Sequence, residues 1–392
     1  MRGLKMIRSA QRHNTQCPLP ASKPGLLPTV CGYKSSTFIG VFPRNTPTLS
    51  TKRRPVLPSH VTMQGLGKLP GIAQLFPQPR VPQPAEQFYY VFQGDHWEPV
   101  ESGPSEAARM PDAFSVVSWN IDFQRPLENE RMKAALDYLG KSSIRGGKTA
   151  IIMFNEMIAS DLQLIQQEPW VREAYFVADL TGERWISRYG TCMLVPKSLP
   201  VKNVFRVPYL KSDMGRDVLF VDIALPGDKT LRVGSTHLES LRADPPRRPA
   251  QLQMAADFMK QADAAIVGGD LNAIEDFDKT LHLSNDLKDA YLETGGEEGA
   301  EEGATWGQMV TKMERLRYGL GRLDKILYCG ELSAEGFRRF GIDAVLEGEA
   351  GERLVNDYFG GLEKPWVTDH MGIMADFKLR VTTFSAAGVE SR

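Results

Sequence analysis

The chain has 392 residues, 42% hydrophobic and 24% charged, enough for one large globular domain or two average ones. No apolar run approaches the roughly 18 residues of a membrane-spanning helix. Its four cysteines (Cys17, Cys31, Cys192, Cys329) show no zinc or disulfide spacing, which argues for a reducing compartment. The net charge of −1 hides an asymmetry: residues 1–85 carry 12 Lys/Arg and no acid, and beyond them 35 basic face 48 acidic residues, a net charge near −13.

Residues 1–85, rich in Pro, Ser, Thr and Arg, read as a disordered basic leader. Met1 to Arg8 with Arg12 has the acid-free, basic character of a mitochondrial presequence. Lys52-Arg53-Arg54-Pro55 offers a competing nuclear-import reading. The expectation is therefore mitochondrion or nucleus, the leader favouring mitochondrion, and no secretion. Residues 86–112 are expected to be a linker or domain edge, 113–380 a catalytic domain, and 381–392 a C-terminal tail.

Ala113–Trp119 is strand-like, and Glu128–Leu139 has helical spacing through Met132, Ala135, Leu136 and Leu139. Thr149–Phe154 is a strand, followed by a short helix Asp161–Gln167 capped by Ser160. Further strands are expected at Thr191–Val195, Val218–Ala224 and Leu231–Thr236, with a helix over Ala250–Lys260. Ala264–Val267 reads as a buried strand stopped by Gly268-Gly269, Glu293–Gly303 as an acidic surface loop, and Leu323–Tyr328 and Gly372–Phe377 as late strands. Interleaved strands and helices, with some strands close enough for hairpins, predict a mixed α/β layered domain.

Five polar motifs sit at or just beyond these strands: Ser118-Trp119-Asn120-Ile121-Asp122, Phe154-Asn155-Glu156, Thr236-His237-Leu238-Glu239-Ser240, Gly269-Asp270-Leu271-Asn272 and Thr368-Asp369-His370. Each has a plain reading alone. Asn120 or Asp122 could cap a helix, Asp-x-Asn could be a turn, and His237 could be a satisfied structural histidine. Together they place carboxylates, amides and imidazoles at strand ends, where α/β folds bind ligands. Carboxylate oxygens suit Mg²⁺, while imidazoles and amides suit a phosphate. The motifs contain no cysteine, which disfavours zinc.

This set resembles the endonuclease/exonuclease/phosphatase superfamily over roughly residues 113–377. Thr236–Ser240 and Thr305-Trp306 most resemble its tyrosyl-DNA phosphodiesterase branch, which removes tyrosyl adducts of the topoisomerase 2 type from DNA 5′ ends. The resemblance implies an α/β fold, a four-layer sandwich of two mixed β-sheets flanked by helices, and a Mg²⁺ cofactor that Mn²⁺ can replace. It implies that Glu156 with Asp122 holds the metal and that Asp369 lies in its outer shell. Asn120 orients the phosphate, Asp270 deprotonates the attacking water, and Asn272 stabilises the pentacoordinate phosphorus. His237 and His370 donate to the non-bridging oxygens, with Asp324 fixing His370. Tyr189, Arg216, Ser240 and Trp306 are the implied substrate contacts, and the implied partner is DNA with a 5′ phosphotyrosyl adduct, single-stranded near its end, bound by a monomeric catalytic domain.

Three features depart from the family pattern: Asn155 stands where glutamine is usual, Ala273-Ile274-Glu275 replace a supporting arginine, and the catalytic region is acidic. The alternatives are another phosphodiesterase of the superfamily (abasic-site endonuclease, RNA 3′ nuclease, small-molecule or lipid phosphodiesterase) and a catalytically silent binding module.

Overall fold

The computed structural model describes residues 83–100, 108–141, 149–358 and 360–380. The leader through residue 82 and the tail 381–392 lie outside the described residues.

From residue 85 the chain forms β1 (Ala85–Glu86), β2 (Tyr89–Gln93), β3 (His96–Val100), β4 (Ala113–Asn120), α1 (Glu128–Lys141), β5 (Ala150–Met157), α2 (Ala159–Gln167) and α3 (Pro169–Ala174). It continues through β6 (Tyr175–Val177), β7 (Gly190–Pro196), β8 (Val201–Pro208), β9 (Asp217–Ala224), β10 (Thr230–His237), α4 (Arg248–Met259) and β11 (Ala264–Asp270). Then come α5 (Leu281–Ser284), β12 (Lys288–Asp289), α6 (Ala290–Glu293), α7 (Lys312–Tyr318), β13 (Asp324–Gly330), β14 (Leu332–Phe340), α8 (Gly348–Asp357) and β15 (Gly372–Leu379).

The strands form a seven-stranded sheet, β1-β8-β9-β10-β11-β13-β12, and an eight-stranded sheet, β14-β15-β4-β5-β7-β6-β2-β3. Each sheet is antiparallel except for one parallel pair, β10/β11 in the first and β4/β5 in the second. A parallel neighbour needs a crossover, supplied by α4 in one sheet and α1 in the other. The fold is thus a mixed α/β sandwich containing two βαβ units.

Alternating strand positions build the layers, since successive side chains leave a strand on opposite faces. Val116, Ile151, Val233 and Ile266 meet between the sheets. Val117, Trp119 and Ile152 turn outward onto Met132 and Leu136 of α1. Phe220, Ala265 and Val267 turn outward onto Leu252, Ala255 and Met259 of α4. Full burial of each large apolar side chain contributes about 1.5–3 kcal/mol, so the three apolar layers hold four structural layers in register.

Along the inward face the chemistry changes toward one end. The series are Phe114-Val116-Ser118-Asn120 on β4, Leu231-Val233-Ser235-His237 on β10 and Ala264-Ile266-Gly268-Asp270 on β11, all buried. The apolar part closes the sandwich, and the polar part forms the site.

Several sequence expectations need revision. The strand expected to stop at Gly268-Gly269 runs on through Asp270, because glycine lets it approach its neighbour. Gly269 has φ +148°, and a Cβ there would lie 1.7 Å from the Thr236 carbonyl oxygen. Ser160 does not cap α2: Ile158 is the N-cap, and the Asp161 side chain accepts its backbone N–H at 2.8 Å. Of the two readings offered for residues 86–112, the described part takes the domain-edge one, contributing the edge pair β2 and β3. Within Glu293–Gly303, read as a loop, lie the end of α6 and a 3₁₀ turn at Glu301–Gly303. Strands β8 and β14 were not expected.

Candidate active site

The two parallel pairs end at the same place. In the seven-stranded sheet His237, Asp270 and Asp324 are register partners across β10, β11 and β13. In the other sheet Asn120 is opposite Asn155. Asn155 joins the two sheets: its Nδ2 donates to the Thr236 carbonyl and its Oδ1 accepts the Asp270 N–H, both at 3.0 Å. The shorter amide therefore has a structural use that its sequence context does not reveal.

Backbone conformation also marks the site. Six non-glycine residues among those described have positive φ, and three of them are Asp122 (55°), Glu156 (58°) and Asn272 (47°). Such backbone is sparsely populated and persists where surrounding contacts enforce it. A break in the β5–β7 register between Phe154 and Met157 releases Glu156 from the ladder.

Asp270 is the hub. Its Oδ2 accepts from Asn120 Nδ2 at 3.1 Å and its Oδ1 from the Asn272 N–H at 2.9 Å. His237 Nε2 lies 3.4 Å and His370 Nε2 3.8 Å from Oδ2. His370 Nδ1 is 2.8 Å from Asp324 Oδ2. Trp119 Nε1 donates to the His370 carbonyl at 3.0 Å, and the Thr368 hydroxyl donates to the Asn120 carbonyl at 2.8 Å, so the last motif is tied to the first.

The two imidazoles have different charge. Burial and the neighbouring Arg216 guanidinium push His237 down to about 4, so it is neutral at pH 7. Arg216 Nη1 approaches His237 Nδ1 at 2.5 Å. A guanidinium only donates, so Nδ1 accepts and Nε2 carries the proton. That N–H is buried without a good hydrogen-bond partner and points toward Asp270 and Glu156. Burial opposes charge on His370 as well, but Asp324, Asp369 and Asp270 raise it well above its ordinary value, making it a cation. Burial would lift Asp270 too, yet the His370 cation and nearby His237 hold it below the usual carboxylate range.

Opposite them the carboxylates repel one another. Burial, then Asp122 and Asp369, push Glu156 up to about 8. Asp122 is raised by burial and by Asp369. Its Oδ1 accepts from the Gln124 and Arg125 N–H groups at 3.1 and 3.2 Å, and Arg125 Nε lies 3.4 Å from Oδ2. Asp369 accepts from Trp306 Nε1 at 2.8 Å.

Possible ligating atoms of Glu156, His237 and Asp270 lie within 4.8 Å of one another, as do those of Asp270, Asp324 and His370. A divalent cation fits the first group because it would relieve the charge crowding at Glu156. The proton on His237 Nε2 excludes that nitrogen as a ligand, and Asp270 is already engaged by Asn120, the Asn272 N–H and the imidazoles, which leaves Glu156 as the principal ligand with Asp122 beside it. One or two carboxylates plus water suit a small hard cation.

Of the other expected residues, Arg216 is buried, and its Nη2 donates to Ser240 Oγ at 2.6 Å. Asn272 Nδ2 donates to the Leu238 carbonyl at 3.0 Å and faces Ser240 Oγ at 3.4 Å. Tyr189 lies beside this network, with the Arg216 guanidinium 5.0 Å above its ring. Trp306 sits at the rim, edge-on to Tyr318 of α7. Sequence reading missed Phe123, which stacks on Tyr189 with centroids 4.1 Å apart and 13° between planes. The one sequence signal was its place directly after Asn120-Ile121-Asp122.

The model of the Endonuclease/Exonuclease/phosphatase family matches residues 117–370. The chain belongs to this family. As a member it is a phosphodiesterase of a fold whose proteins hydrolyse phosphodiester and phosphate bonds. A humanized D. rerio TDP2 carrying 14 mutations shares the fold at 18% identity, over 68% of this chain and 100% of that chain, with TM-score 0.51. D. rerio TDP2 complexed with single strand DNA product aligns at 17% identity, over 68% and 100%, with TM-score 0.51. TDP2 from C. elegans aligns at 22% identity over 68% and 75%, with TM-score 0.49. No curated protein matches the sequence. The family's four-layer architecture, with two mixed sheets between helices, is the one described above.

Proposed function

We propose that this family member is a Mg²⁺-dependent 5′-tyrosyl-DNA phosphodiesterase. The observation that carries the reaction type is the position of Asp270 between crowded carboxylates on one side and two oriented imidazoles on the other. In this reading Asp270 takes a proton from water as the water oxygen bonds to phosphorus. Asn120 holds Asp270 in place, and Asn155 fixes its backbone. The Nε2–H groups of His237 and His370 donate to phosphate oxygens as they gain charge, the arrangement in which preorganised donors act. Asp324 orients His370 and stabilises its charge. Asn272 and Ser240 complete the floor of the site, while Tyr189, Arg216 and Trp306 line the substrate side. Glu156 is the main cation ligand, with Asp122 and Asp369 around it. A bound divalent cation supplies Lewis acidity at the phosphate, and Mn²⁺ is expected to replace Mg²⁺.

The P–O bond to tyrosine breaks and the tyrosine oxygen departs with the bonding pair as the phenolate, which solvent protonates. With a free pKa of about 10, it leaves without a dedicated acid. The aromatic groups Phe123 and Trp306, with Tyr189 and Arg216 backing Phe123, support a nucleic-acid substrate bearing an aryl ester, because stacking suits single strands. The acidic balance beyond residue 85 favours the second reading, a different phosphodiester of the same reaction class, since non-specific DNA affinity comes from basic surface.

Cleavage of a 5′-phosphotyrosyl oligonucleotide with Mg²⁺ or Mn²⁺, run beside an abasic duplex and a lipid phosphodiester, separates the readings. Preference for the tyrosyl substrate is expected, and activity surviving EDTA overturns the metal dependence. A Trp306→Ala protein that keeps full affinity for single-stranded DNA removes the DNA assignment. The leader supports delivery to mitochondrion or nucleus, and a diffuse signal from residues 1–85 fused to a fluorescent protein overturns both.

A further inference from the structure

Both faces of the Tyr189 ring are occupied: Phe123 stacks on one, and the Arg216 guanidinium lies 5.0 Å above the ring. Arg216 is itself held by His237 and Ser240, so this side of the stack is fixed. A substrate ring therefore has no free face on Tyr189. The aromatic row ends instead at Phe123, which is partly exposed and whose backbone N–H lies 3.3 Å from Glu156 Oε2. Over Phe123, 5.4 Å from its centroid, is the guanidinium of exposed Arg188. Among the described residues Arg188 makes no hydrogen bond or ion pair, so only this cation–π contact holds it. Such contacts at exposed sites are weak, and the side chain can swing aside.

We propose that Phe123 and Arg188 form a slot for a planar aromatic group of the substrate, which enters between the benzyl ring and the guanidinium. The row then reads Arg188, substrate ring, Phe123, Tyr189, Arg216, fixed at the inner end and adjustable at the outer one. Anchorage beside Glu156 puts the slot at the edge of the phosphate site. The ring is either the phenol esterified to the scissile phosphate or a nucleobase of the strand, and both bring the same chemistry, a flat π face that a cation can cover. The inference rests on the phosphodiesterase reading above and adds its specificity element.

The test uses full-length wild type, Phe123→Leu, Phe123→Trp and Arg188→Ala. Calorimetry on metal-free protein measures binding of p-nitrophenyl phosphate, a ring without a base, and of oligothymidylate, bases without an aryl ester. Hydrolysis of bis(p-nitrophenyl) phosphate with Mn²⁺ is followed separately. Phe123→Leu is expected to weaken binding of one probe by roughly tenfold, the factor that about 1.4 kcal/mol of stacking supplies. Phe123→Trp should restore it, and Arg188→Ala should weaken the same probe less. Loss confined to p-nitrophenyl phosphate assigns the slot to the leaving group; loss confined to oligothymidylate assigns it to a base. Unchanged affinity for both probes in Phe123→Leu, with an unchanged melting temperature, overturns the slot. Wild type that binds with this Phe123 dependence but hydrolyses nothing keeps the slot and overturns the proposed reaction.

Discussion

The two parallel strand pairs are built alike and used differently. Each is a βαβ unit in an otherwise antiparallel sheet, and each delivers polar side chains at its C-terminal end. The β4/β5 end is crowded with negative charge, and Glu156 is pushed up to about 8 by burial and by Asp122 and Asp369. The β10/β11 end, with β13 beside it, holds Asp270 ionised, presents the neutral imidazole of His237 and, through Asp324, holds the cationic imidazole of His370, which arrives from the segment before β15 of the other sheet. One half is short of a cation, and the other has donors suited to an anion. Their meeting point is Asp270, which explains how a symmetrical scaffold makes an asymmetric site.

If Asp270 joins the two halves, Asp270→Asn is the most damaging change. Turnover should fall by roughly 10³-fold, within the range for loss of a general base, while substrate binding persists. Wild-type turnover in that protein would break the comparison. Asp324→Asn tests the imidazole half alone: without its carboxylate partner, His370 loses much of its charge and orientation. A roughly 10²-fold loss of turnover is expected, the scale of one oriented transition-state donor, and the loss should shrink as the assay pH is lowered. A pH-independent loss would count against the cationic role.

Asn155→Ala cuts the link between the halves without touching a reacting group. It leaves the Asp270 N–H and the Thr236 carbonyl unpaired, so a stability loss of about 1–3 kcal/mol is expected in denaturant titration. Asn155→Gln tests whether the longer amide of relatives fits here, and full stability in that variant would show that the link tolerates either length.

The smallest effect on turnover concerns a carboxylate away from the site, whose change is read in stability alone. Burial lifts Asp161 to about 6 in the fold, so the folded protein holds a proton that the unfolded chain releases near pH 4. That contribution is present below about pH 4 and lost as pH rises through 6. Asp161→Asn should remove this decline, gaining roughly 2–3 kcal/mol relative to wild type at pH 7. Equal pH dependence in both proteins would contradict the assignment.

Much of this site could be read in the sequence because the strand-end motifs are local. Asn120, Glu156, His237, Asp270, Asn272, Asp324 and His370 each stand at or beside a strand terminus that apolar periodicity locates. Less visible was what depends on pairing across the sandwich. Asn155 looked like a shortened amide, since its partners Thr236 and Asp270 lie in the other sheet. Gly268 and Gly269 looked like a strand stop, since the close approach to β10 that requires Gly269 is a tertiary fact. Strand β14 was hidden by its mixed burial, typical of an edge strand with one wet face. Phe123 acquires meaning only from Tyr189, which arrives from a distant loop.

The division of labour between the halves can be measured directly by calorimetric titration of Mn²⁺ into wild type, Glu156→Gln and His370→Gln. The account predicts one stoichiometric binding event in wild type, its loss in Glu156→Gln and its retention in His370→Gln. Retained binding in Glu156→Gln, or loss only in His370→Gln, would place the cation in the imidazole half and contradict it.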